Sequence, residues 1–192
     1  MPTRLVVVSG KGGVGKSAVA AALALAGRRR GERVLALDMV NAGGLGPHLG
    51  EPDLAFEPRP VGDGLEAATV DRADALLEYL RVQLGLPAVA TIGPAARAFD
   101  ALASSAPAVR EVVTIGKVLW EVRRDVWDLV VADAPPTGQI GSYLRAARTI
   151  QELVTTGRIL DQVAWMQDIL TDPDRTQLVL VSLLEELPVV ET

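Results

Sequence analysis

Two of the chain's three lysines, Lys11 and Lys16, stand among four glycines in the stretch GKGGVGKS, residues 10–17. Ammonium groups, bare backbone amides and one hydroxyl suit a particular chemistry, the holding of phosphate oxygens together with a divalent cation. Glycine lets the backbone turn its N–H groups inward and come close to an anion. Gly10, Gly15, Lys16 and Ser17 match the pattern G-x-x-x-x-G-K-[ST]. In that pattern the lysine reaches the outer phosphates and the hydroxyl ligates Mg²⁺. Gly10, Gly12, Gly13, Val14, Gly15, Lys16, Ser17 and Ala18 are therefore the candidate phosphate-binding residues. Arginine outnumbers lysine 16 to 3, so lysine here reads as a choice of a compact ammonium where a wide fork would not fit. A second candidate point is Asp133 in WDLVVADAPPTGQ, residues 127–139. A carboxylate at such a strand tip holds the Mg²⁺ shell directly or through water. Ser17 and Asp133 form the candidate metal pair, and Asp38, at the tip of RVLALD, is a third candidate.

Strands and helices must bring these groups together. Arg4 to Ser9 is a β-branched run that predicts a buried strand. Ser17 to Arg30 is rich in Ala and Leu and stops near Gly31, as a helix would. The glycines thus lie between a strand and a helix, the context the phosphate-loop pattern requires. Arg33–Asp38, Gly64–Val70, Asp128–Ala132 and Arg175–Leu183 predict further strands. Helices are predicted over Asp71–Leu84, about 95–103, Ala108–Arg124, 139 to about 150, and 158–170. On 71–84 the apolar face is Leu76, Leu77, Leu80 and Leu84; on 158–170 it is Ile159, Val163, Met166 and Leu170, expected to pack on the core. The alternation predicts an α/β fold, a doubly wound and mostly parallel sheet with flanking helices. Its 192 residues suit one domain.

Composition narrows the function. A net charge of −5 argues against a general nucleic-acid binder. With no cysteine, disulfides, thiolate metal sites and a cysteine nucleophile are excluded. The low-polarity stretch Ala18–Gly27 is far short of a bilayer span, and MPTRLVVVSG lacks a signal-type pattern, so a cytoplasmic protein is expected. Lys117 lies on a predicted helix and is expected at the surface. His48, in NAGGLGPHLG, is read as a surface residue, and Trp120, Trp127 and Trp165 as core or rim packing.

KGGVGKS resembles the deviant phosphate loop of the signal-recognition/MinD/BioD class of NTPases, in which the early lysine is a signature. That resemblance implies that Lys11 reaches a partner's nucleotide across a dimer interface and offsets transition-state charge. DAPPTG resembles the DTAPTGH stretch of the arsenical-pump (ArsA) and tail-anchored-protein-targeting ATPase family, within the P-loop NTPases. LEAATVDRADALLEYL and APAVREVVTIGKVLWEV resemble further stretches of it, so the likeness covers nearly the whole chain, and the actinobacterial anion-transporting branch matches best. The resemblance implies ATP and Mg²⁺ as ligands. It also implies a nucleotide-linked dimer, with itself or with a paralogue. Lys16 and Lys11 would carry the transferred charge, while Pro136, Thr137 and Gly138 would form the second switch sensing the γ-phosphate. A client protein is compatible with the family, but nothing in the residues names one.

The chain departs from the family in several places. The family's first switch reads DPAxN, and its Asp orients the attacking water. Here the aligned segment is VLALDMVN, and Val40 falls on that position. Asp38 is the water-side candidate, on the same side as residue 40 if the strand runs that far. Slow turnover is one expectation; a non-hydrolysing nucleotide-binding partner subunit is another. A spatial-organising ATPase of the ParA/MinD kind is a third, against which DAPPTG argues. Without cysteines an arsenite-gated subunit is excluded. The insertion near 71–107 is short for a client groove, and the chain is expected to lack the family's C-terminal part, including its adenine-gripping segment.

Overall fold

A computed structural model describes residues 3–40, 43–82, 107–153 and 158–184. Its elements run β1 (Arg4–Gly10), α1 (Lys16–Arg29), β2 (Val34–Asp38), a 3-10 turn (Gly46–Leu49), β3 (Arg59–Gly62) and β4 (Leu65–Thr69). Then follow α2 (Arg72–Val82), α3 (Pro107–Arg123), β5 (Leu129–Asp133), α4 (Thr137–Leu153), α5 (Arg158–Thr171) and β6 (Thr176–Val181). The expected helix at 95–103, Leu84 and the segment EELPVVET lie outside the described residues.

The six strands form one sheet in the order β3-β4-β2-β5-β1-β6. All neighbours are parallel except β3 against β4. This is the doubly wound α/β fold the sequence predicts. The chain leaves β1 for β2 on one side and returns to pair β6 on the other, which opens a crevice at the carboxyl ends of the central strands. β5 lies between β1 and β2, so the tips of all three are adjacent. Across them Val8 aligns with Asp133, and Asp133 with Asp38.

Side-chain alternation sorts the core into two layers. Val8, Val34, Ala36, Leu129 and Val131 pack against α1 through Ala20, Ala21 and Ala24. Leu5, Val7, Leu35, Leu37, Val130 and Ala132 face the layer of α2 to α5. By the same alternation Asp38 and Asp133 belong with the α1 face. Small residues let α1 lie close to the sheet: a Cβ on Gly27 would stand 2.8 Å from Leu129 Cδ2 and 3.1 Å from Val34 Cγ2. On α5, Val163 and Met166 are buried in the core, as predicted, and Leu170 packs half-buried against it; Ile169, outside the predicted face, is buried as well, and the side chain of Ile159 lies outside the described residues.

Three findings differ from the sequence expectation. The short antiparallel β3 was not predicted; Pro60 interrupts it, and it borders the sheet, where a missing N–H is tolerated. β2 ends at Asp38, where the Val40 amide donates to Asp38 Oδ1 at 2.9 Å, so the strand alternation does not carry through residue 40. Finally, Lys117 is not at the surface. It is 3 % exposed, and its Nζ donates to Glu78 on α2 and to Glu121 on α3, each at 2.9 Å. It also stands 4.4 Å from the Phe56 ring centroid. Glu121, wholly buried, further accepts from Arg124 at 3.0 Å and Trp127 Nε1 at 3.3 Å. Burial, with the nearby charges of Glu121 and Glu57, pushes the Glu78 carboxyl up although Lys117 pulls it down. Among the described strands β6 pairs only with β1, and it exposes Leu178 and Leu180.

Candidate functional site

Residues 11–15 link β1 to α1 at the crevice. Gly13 (φ 84°) and Gly15 (φ 91°) sit in the left-handed region that L side chains resist. Nothing lies within 4 Å of a Cβ built on Gly12, Gly13 or Gly15, so the demand there is on backbone shape rather than space. Gly10 is different: a Cβ on it would run into the Val181 carbonyl of β6. Gly15 caps α1 without a side-chain hydrogen bond, and the first turn holds no acid. The leading amides of α1 are thus left to an external acceptor, with the helix's positive end behind them. Val14 is buried and anchors the loop, while Ala18 faces solvent on α1. Lys16 reaches back over the loop, its Nζ donating to the Lys11 carbonyl at 3.2 Å. Lys11 is half-buried beside it.

Opposite the loop lie the two carboxylates. Asp38 is 3 % exposed and Asp133 4 %. The Ser17 hydroxyl faces the Asp133 carboxyl, whose Oδ1 is buried without a partner. Burial pushes the Asp133 carboxyl up, and Asp38 adds to this, while the neighbouring Ser17 hydroxyl and the charges of Lys16 and His48 pull it down. A hydroxyl, an unpaired carboxylate oxygen and a second carboxylate nearby are hard oxygen donors of the sort Mg²⁺ takes. Among the described residues no group of three or more His, Cys, Asp or Glu could hold a metal. Mg²⁺ in a phosphate site does not need one, because it keeps waters and takes phosphate oxygens alongside one or two protein ligands.

The second-switch candidates begin α4. Pro136 accepts from the amides of Gln139 and Ile140 at 2.8 and 3.0 Å, and Thr137 and Gly138 form the first turn. This segment is tied to β1 twice. The Ala134 amide donates to Val8 O at 2.9 Å, and the buried Ser9 hydroxyl donates to Pro135 O at 2.7 Å. Ser9 escaped the sequence reading, since a serine one residue before a glycine loop carries no signal of its partner. Ser9→Ala leaves a buried carbonyl unpaired. It is expected to lower unfolding free energy by about 1–3 kcal/mol in a urea titration; an unchanged midpoint would contradict that role.

Lys16, Ser17, Asp38 and Asp133 therefore meet at one place, assembled by three adjacent strands and the head of α1. The sequence matches the Anion-transporting ATPase family (ArsA_ATPase) over residues 3–159. The chain belongs to that family. ATPase BagA of Mycobacterium tuberculosis is 33 % identical over 200 residues, covering 98 % of this chain and 58 % of BagA. ATPase GET3 of Phaeosphaeria nodorum is 25 % identical over 156 residues, covering 79 % of this chain and 48 % of that protein. The Drosophila melanogaster cytosolic Fe-S cluster assembly factor Nubp2 homolog is 30 % identical over 178 residues, covering 91 % of this chain and 61 % of that protein. This anion-transporting ATPase family chain thus spans 48–61 % of the length of these relatives. No helix among the described residues is long and apolar enough to cross a membrane.

Proposed function

We propose that the chain binds ATP with Mg²⁺ at the bend between β1 and α1, hydrolyses it, and couples the nucleotide to association with a second copy or a paralogue as a dimer. The observation that carries this reading is the convergence of Lys16, Ser17 and Asp133 on one loop whose glycines are held open. Amides of Gly12 to Ser17 would wrap the phosphates. The Lys16 ammonium would offset charge on the outer phosphoryl oxygens, and Lys11 would do so for the partner's nucleotide. Ser17 and Asp133 would hold Mg²⁺, which supplies charge neutralisation across the phosphates. Asp38 would orient the attacking water from the tip of β2. Thr137 and Gly138 would register the terminal phosphate through their amides, with Ser9 fixing the strand end they extend from.

The test is calorimetry with ATP, GTP and a non-hydrolysable analogue, with and without Mg²⁺, beside size-exclusion chromatography and phosphate release. Mg²⁺-dependent uptake of ATP, a larger species with the analogue and released phosphate are expected. No uptake of any nucleotide refutes the proposal. Val40 favours a second reading, because it stands 44 % exposed where the family has a carboxylate. Uptake without turnover alone, but stimulation of a paralogue's turnover on mixing, would assign the regulatory role instead.

A further inference from the structure

In the segment after β2, Gly44 comes down on the Ser17–Asp133 pair. A Cβ built on Gly44 would stand 2.8 Å from Ser17 Oγ, 3.6 Å from Ser17 Cβ and 4.0 Å from Asp133 Oδ2. Gly43, one residue earlier, has nothing within 4 Å of a built Cβ. The close approach at residue 44 is therefore not shared by Gly43, and it is directed at the hydroxyl. The next residues are fixed: Leu45 is fully buried, and a Cβ on Gly46 would run into the Glu51 carbonyl. The segment cannot back away without repacking the core under it. Ser17 can yield instead, by turning about its own Cα–Cβ bond, but that rotation takes the hydroxyl off Asp133. Space at residue 44 and the direction of the Ser17 hydroxyl are thus one variable.

We propose that Gly44 is a positioning residue for the metal site, its bare Cα holding the first-switch segment against Ser17 so that the hydroxyl stays on Asp133. Its link to Mg²⁺ rests on the ATP–Mg²⁺ reading above; the contact itself does not. Residue 44 then reports to the loop and the loop to the hydroxyl, so a shift of the switch segment alters metal holding without touching Lys16.

Gly44→Ala tests this against Ser17→Ala and the double variant, with Gly43→Asn as the control, since asparagine tolerates left-handed backbone. Nucleotide affinity is titrated with Mg²⁺ and with EDTA. Gly44→Ala is expected to lose most of the Mg²⁺-dependent gain, coming within about threefold of Ser17→Ala. Its affinity in EDTA should change less than about twofold, and the double variant should add no further loss, as coupled neighbours do. Gly43→Asn is expected to keep the gain. Retention of the gain in Gly44→Ala, or independent additive losses in the double variant, overturns the inference. If the wild-type chain takes up no nucleotide, the functional reading falls, and the contact is judged by unfolding without ligand. There, Ser17→Ala should relieve the thermal destabilisation caused by Gly44→Ala; purely additive shifts in melting temperature would overturn the contact as well.

Discussion

Lys117→Ala is expected to lower unfolding free energy by about 3–5 kcal/mol, because it strands the buried carboxylate of Glu121 rather than merely removing a cation. Glu121 is wholly inside the protein, and its remaining partners would be the half-exposed Arg124 and the Trp127 indole. Glu78 would also lose its ammonium, and Phe56 the cation on its ring. Against a typical domain stability of about 5–15 kcal/mol, this is a large share. In a chain of this size it corresponds to roughly 6–20 °C in melting temperature. The charged network need not be worth that much itself. Lys117→Met combined with Glu121→Leu removes both charges and fills the space, and that pair is expected to sit near wild type. Thermal and urea unfolding of the three proteins decide the matter. A loss below about 1 kcal/mol for Lys117→Ala would mean that water reaches Glu121 and that the burial argument is wrong.

Asp133→Asn is expected to move stability and function in opposite directions. The carboxyl is buried beside Asp38, and one of its oxygens has no partner. Neutralising it removes like-charge repulsion and a desolvated anion, so the ligand-free protein should gain about 1 kcal/mol, roughly 2–4 °C. The Mg²⁺-dependent gain in nucleotide affinity should fall on the order of 100-fold with the loss of a charged oxygen donor. The pH dependence follows from the direction of the shift. A carboxyl whose folded-state titration lies above the usual range binds its proton more tightly in the folded chain than in the unfolded one. The stability this contributes is present at low pH and declines as pH rises from the ordinary carboxylate range through the elevated titration. The advantage of Asp133→Asn over wild type should therefore widen across that window. Parallel stability curves would show that Asp133 does not titrate as described.

The sequence was most legible where local chemistry and local structure coincide. The glycines, Lys16 and Ser17 belong to one turn, and short continuous apolar runs are enough to predict β1, β2 and β5, hence the sheet that carries Asp38 and Asp133. Lys117 was misread because a lysine four residues before Glu121 on a helix looks the same whether that face meets water or another helix. Only the placement of α2 with Glu78, distant in sequence, makes the difference. β3 was missed because Pro60 breaks the alternation, although the Asp63–Gly64 step that turns it into β4 is a hairpin signal. Gly44 reads as one more loop glycine among several, and its contact with Ser17 exists only once β2 and α1 are side by side.

The pairing of β1 with β6 runs from Leu5 opposite Thr176 to Gly10 opposite Val181, and Gly10 lies directly against the Val181 carbonyl. The chain's chemistry is thus encoded near one end of the described residues but braced by a strand near the other. Contacts this far apart in sequence form late, because a long loop must close before they return any stability. A nascent chain would carry the glycine loop at residues 11–15 well before the strand that walls it has been made. The shape of that bend therefore waits on β6 rather than guiding the folding that precedes it.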